Sequence, residues 1–64
     1  MKLSQLLKIM DENTFIYVGI SVCGMQFETK HSAEFFDDNG DELNERKITK
    51  IYVTDGELHI RLED

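Results

Sequence analysis

Ile48-Thr49-Lys50-Ile51-Tyr52-Val53-Thr54-Asp55-Gly56-Glu57-Leu58-His59-Ile60-Arg61-Leu62 is the stretch whose reading decides the fold. At its centre, Asp55-Gly56 supplies the two residues that a type I′ turn holds at positive φ, which glycine adopts freely and aspartate tolerates. Centring the turn there pairs Thr54 with Glu57, Val53 with Leu58, Tyr52 with His59, Ile51 with Ile60, and Lys50 with Arg61. Side chains alternate between faces along a strand. Ile51, Val53, Leu58, Ile60 and Leu62 therefore share one face, and Glu57, His59, Arg61, Lys50 and Tyr52 share the other. Turn chemistry and apolar pattern select the same register, so the spacing predicts a β-hairpin with one face for a core.

Just upstream, His31-Ser32 leads into Ala33-Glu34-Phe35-Phe36-Asp37-Asp38. Ser32 suits a helix N-cap, and Glu34 is favourably placed against the positive end of the helix dipole. Asn39-Gly40 ends such a helix, but the same pair is a hairpin signal, so a hairpin from Glu34 to Leu43 competes with it. The helix is preferred, because the acids flanking the pair are poor strand formers. Further back, Met25, Phe27 and Thr29 alternate with Gln26, Glu28 and Lys30, the pattern of a strand with an inside and an outside. Thr14 to Val18 is β-branched or aromatic throughout and reads as the most buried strand. Its apolar parity, even through Ile16, Val18, Ile20 and Val22, switches to odd at Met25, which places a reversal within Gly19 to Gly24; one long bent strand is the alternative. At the start, Leu3, Leu6, Leu7 and Met10 fall at i, i+3, i+4 and i+7, the stripe of a helix of about two turns closed by Asp11-Glu12-Asn13.

The assembled expectation is a single small α+β domain over residues 1–64, in the order α-β-β-α-β-β. Two hairpins form one antiparallel sheet with the helices on its apolar face. A chain of 64 residues buries only about 60% of its unfolded surface, so stability is expected to be marginal. Thirteen acids against seven bases give a net charge of −6. Such a charge argues against direct contact with nucleic acid or anionic membranes. There is no apolar leader-like segment, and one unpaired cysteine fits a reducing compartment, so the expected location is the cytoplasm.

Chemistry-bearing constellations are sparse. Cys23 with His31 or His59 offers a nominal nucleophile and base, but a lone cysteine in an apolar strand pair reads as a small buried hydrophobe. His59 points to the face opposite Leu58 and Ile60, where it packs across from Tyr52. A calcium loop beginning with Asp37, Asn39 and Asp41 would need Gly at 42 and Glu at 48, where Glu42 and Ile48 stand. No enzymatic activity, metal or other cofactor is therefore expected.

Charge distribution carries more. From His31 to Glu45 there are six acids, Glu34, Asp37, Asp38, Asp41, Glu42 and Glu45, and no Lys or Arg, while the remaining seven acids balance the seven bases. A cluster of this density can imitate nucleic-acid phosphates and occupy a basic groove on a partner protein, a nuclease for example. Phe35, Phe36 and Leu43 would anchor the contact if exposed. The alternative is a solvated stretch that keeps a small protein soluble, with Phe35 or Phe36 in the core.

The opening Lys2-Leu3-Ser4-Gln5-Leu6-Leu7-Lys8-Ile9-Met10-Asp11-Glu12-Asn13-Thr14, the middle Ser32 to Phe36, and the closing Arg46 to Val53 with Asp55-Gly56-Glu57-Leu58 resemble small acidic proteins encoded by phages and prophages of low-GC Gram-positive bacteria. The resemblance covers most of the chain and is one of pattern, with no functional residue to transfer. It implies a non-enzymatic binding protein, with inhibitors of host nucleic-acid enzymes, anti-CRISPR proteins included, as the leading specific form. The second expectation is a structural or accessory protein that forms a homodimer through a sheet edge.

Overall fold

The computed structural model describes residues 1–63. Its elements are α1 (Leu3–Leu7), β1 (Phe15–Val22), β2 (Met25–Ser32), α2 (Ala33–Asn39), α3 (Asp41–Asn44), β3 (Ile48–Thr54) and β4 (Glu57–Leu62). The α+β class and both hairpins are present. The β3–β4 register is the one read from Asp55-Gly56, from Thr54 opposite Glu57 to Lys50 opposite Arg61, with one irregularity between Ile48 and Lys50. Asp55 and Gly56 sit at φ 53° and 76°, the positive values that turn demands. Cys23 and Gly24 do the same at φ 52° and 78°, and Val22 pairs with Met25. The parity switch is therefore a two-residue reversal, not a bent strand. Cys23 is exposed at the tip of this hairpin rather than buried as expected, because turn residues have no opposing strand to cover them.

The sheet is not purely antiparallel. Strand order is β2-β1-β4-β3, and β1 runs parallel to β4, with Ile16 beside Leu58 and Val18 beside Ile60. The reason lies in residues 33–47, which carry the chain from the end of β2 back to the opposite end of the sheet. Parallel neighbours need a crossover of a dozen or more residues, and this helical segment is long enough to serve. The second hairpin then enters in the same sense as β2, and its inner strand lies alongside β1.

Among the described residues three helices form rather than two. Ser32 Oγ accepts a bond from Phe35 N–H at 3.2 Å and starts α2, so the helix prevails over the Asn39-Gly40 hairpin. Gly40 closes α2 and at once opens α3. The first helix stops at Leu7. Beyond it, Ile9 N–H to Leu6 O and Met10 N–H to Leu7 O are i→i+3 bonds, a tightened final turn that still leaves Leu6 and Met10 against the core. Met1 and Lys2 lie beside the start of β3, with Ile48 N–H donating to Met1 O at 2.8 Å and Lys2 bridged to Lys47.

Leu3, Leu7, Ala33 and Phe36 from the helices meet Ile16, Val18, Ile60 and Leu62 from the two inner strands, and these eight residues make the core. The helices thus cover β1 and β4 and leave the outer strands open. Ile51 and Val53 share the apolar face as expected, yet they remain 48% and 65% exposed because the core lies over β1 and β4 and takes in only Ile48 from β3. Met25 and Phe27 have no inside either; β2 is the other edge, and Phe27 is 51% exposed.

Candidate functional site

The six acids of the middle segment lie on the helical side of the molecule. Glu34, Asp37 and Asp38 belong to α2, Asp41 and Glu42 to α3, and Glu45 caps α3; all six are exposed. Spacing explains the first three, since positions i, i+3 and i+4 fall on neighbouring rows of one helix face while Ala33 and Phe36 are drawn into the core. The cluster is not uniform in charge. Arg46 Nη2 bonds Glu42 Oε1 at 2.6 Å, and Lys2 Nζ bonds Glu45 Oε2 at 2.9 Å. Among the described residues no ion pair engages Glu34, Asp37, Asp38 or Asp41. Of the three proposed anchors, only Phe35 is available. Phe36 is in the core and Leu43 packs against it.

The other face of the sheet carries a polar network that the sequence disclosed only in part. His59 is stacked between Tyr17 at 4.5 Å and Tyr52 at 4.9 Å between ring centroids, nearly parallel to both. The Tyr52–His59 pair follows from the hairpin register; Tyr17 joins it because β1 lies beside β4. Burial of His59 to 8% exposure follows from this stack. Its Nδ1 lies 3.1 Å from Glu28 Oε2. Alongside, Lys30 Nζ bonds Glu57 Oε1 at 2.8 Å and passes 5.5 Å from the centre of the Tyr17 ring, while Arg61 donates to Gln26 Oε1 at 3.0 Å. These contacts knit β2 to β4 across β1.

The Lys30 ammonium, and secondarily the Tyr17 hydroxyl, hold the Glu57 carboxyl below its ordinary value of 4.5. The Glu57 carboxylate in turn raises Lys30 above 10.5 and Tyr17 above 10.0. A lowered carboxyl contributes stability that is complete above its unfolded value and is lost as pH falls through the folded one. Raised Lys and Tyr groups contribute stability that is complete below their unfolded values and is lost as pH rises through the folded ones. Stability from this triad should be level between about pH 5 and 9.5 and decline at both ends. Thermal melts of wild type and Glu57→Gln should therefore differ across that window and converge as pH falls through the lowered Glu57 value; a difference that does not shrink on acidification would contradict the assignment.

Cys23, His31 and His59 are not brought together. Cys23 is at the β1–β2 turn, and His31, near the far end of β2, stacks on Phe35 with ring centroids 3.8 Å apart. At about 3.3 Å per residue the strand from Met25 to His31 alone spans roughly 20 Å, and Cys23 lies beyond its start. Among the described residues no helix is long and apolar enough to cross a membrane. Comparison of the chain with protein-family models, with curated proteins and with solved structures finds no match in any of the three.

Proposed function

We propose that this is a non-enzymatic binding protein: an acidic inhibitor of phage or prophage origin that acts in the host cytoplasm on a nucleic-acid enzyme, a CRISPR-type nuclease among the candidates. The observation that carries this reading is the exposed acidic surface of α2 and α3, where Glu34, Asp37, Asp38 and Asp41 have no ion-pair partner among the described residues. Unneutralised carboxylates on a short helical pair repel one another and are relieved by a basic partner groove, which they enter as phosphates would. Exposed Phe35 at the border of the surface supplies an apolar contact.

The test is capture from a bacterial lysate at low and high salt, run in parallel with a variant carrying Glu34→Gln, Asp37→Asn, Asp38→Asn and Asp41→Asn. The variant should fold with stability within about 0.5 kcal/mol of wild type, since exposed like charges contribute little. Asn is also well suited to Asp41, whose φ is 27°. Wild type should capture a basic nucleic-acid enzyme, inhibit it, and lose it as salt rises, whereas the variant should bind about tenfold or more weakly with a flatter salt dependence. Equal affinity and salt slope for the two proteins would move the function to another face.

A further inference from the structure

We infer that β2 is a homodimerisation edge, and that two copies pair antiparallel about a two-fold axis through Thr29, placing Glu28 of each protomer opposite Lys30 of its partner. The inference rests on β2 alone and is independent of the acidic surface.

The sheet has two outer strands, and they differ. β3 is obstructed at its start by Met1 and Lys2, is interrupted between Ile48 and Lys50, and carries Lys50 as its one charge. β2 runs eight residues in unbroken register with β1 and ends the strand order, with its first six residues exposed. Nothing among the described residues pairs with its outer side. Ala33 N–H, continuing the ladder, bonds Thr14 O at 2.8 Å. Antiparallel alternation then directs the main-chain groups of odd-numbered residues toward β1 and those of Gln26, Glu28, Lys30 and Ser32 outward. An outward row of this length is a template for another strand.

Symmetry and the pleat fix the register. A two-fold axis perpendicular to the sheet keeps each face on its own side, and directly opposed residues must share a face, so the axis passes through a residue and not between two. The longest overlaps place it at Glu28 or Thr29. At Glu28 two carboxylates collide. At Thr29 both Glu28–Lys30 pairs are of opposite charge, Gln26 meets Ser32, and the exposed Phe27 ring meets His31, already stacked on Phe35. Moving the axis to Lys30 opposes two ammonium groups. In the Thr29 register the outward main-chain groups of Glu28 and Lys30 find partners on both protomers, while the Ser32 carbonyl stays with α2, whose N-cap it is. Lys30 holds Glu57 and Glu28 holds His59 within each protomer, so the new pairs join two existing polar networks into one.

Sedimentation equilibrium of the full chain should show a monomer–dimer equilibrium. Glu28→Lys sets Lys against Lys in a homodimer, and Lys30→Glu sets Glu against Glu; each variant alone should dimerise at least about tenfold more weakly than wild type. Mixed in equal amounts they should form a heterodimer, because both opposed pairs are then of opposite sign. If either variant fails to fold by circular dichroism, Thr29→Cys in a Cys23→Ser background decides: oxidation should cross-link it as a dimer, and Gln26→Cys should not cross-link. A wild type that stays monomeric near 100 μM, variants that dimerise as well as wild type, or cross-linking at position 26 and not 29 would each overturn the proposal.

Discussion

Ile60→Ala should remove most or all of the folded population, while Ile51→Ala, directly opposite it across the hairpin, should leave the protein folded. Ile60 is fully buried where the helix layer meets the two inner strands, and truncating such a residue costs about 2 to 5 kcal/mol. A domain this small has roughly 3 to 5 kcal/mol to lose. Ile51 occupies the same face one strand outward, half exposed, and its truncation should cost about 1 kcal/mol or less. Urea unfolding followed by circular dichroism separates the two. Equal losses would mean that the helices extend over β3 and that the core has been drawn too narrowly.

Gly40→Ala should destabilise the protein, against the usual direction of a glycine-to-alanine change in helical backbone. Gly40 has an ordinary right-handed conformation, φ −80° and ψ −12°, so the backbone alone would favour alanine by about 0.4 to 1 kcal/mol. Space decides otherwise. A Cβ there would run into the carbonyl oxygen of Phe36 and the side-chain amide of Asn44. The Phe36 carbonyl already accepts from Gly40 N–H at 2.8 Å and from Asn44 Nδ2 at 3.0 Å, so it is held from two sides and cannot yield without breaking the junction between α2 and α3. Overpacking of this kind costs about 1 to 3 kcal/mol. Because the same junction orients the acidic surface, Gly40→Ala should lower the melting temperature, and Asn44→Ala added to it should restore only part of the loss, since the Phe36 contact remains. A melting temperature above wild type would show that the two helices are free to separate.

How much of this was legible follows from the range over which each signal acts. The second hairpin was readable because a two-residue turn and the alternation flanking it are local: Asp55-Gly56 fixes which residues face one another, whereas the parity change between Val22 and Met25 announced a reversal or a bend and only the structure puts it at Cys23-Gly24. The helix after Ser32 was readable for the same reason, through its cap. The six acids could be located from charge counting, but their division into paired Glu42 and Glu45 and unpaired Glu34, Asp37, Asp38 and Asp41 depends on where Arg46 and Lys2 arrive.

By itself, then, the sequence determined the second hairpin and its register, the faces of its side chains, a reversal within Gly19 to Gly24, and the acidic segment, all of which follow from local contacts. Only the tertiary structure decided that β1 and β4 lie side by side in parallel, because nothing local distinguishes that packing from a purely antiparallel sheet; the path of residues 33–47 across the helix face selects it. That one choice brings Tyr17 onto His59, buries Ile60 while exposing Ile51, and leaves β2 as an open edge. Pattern tells which face of a strand is apolar. Which strands the helices cover depends on strand order, and strand order is set by how the whole chain closes on its core.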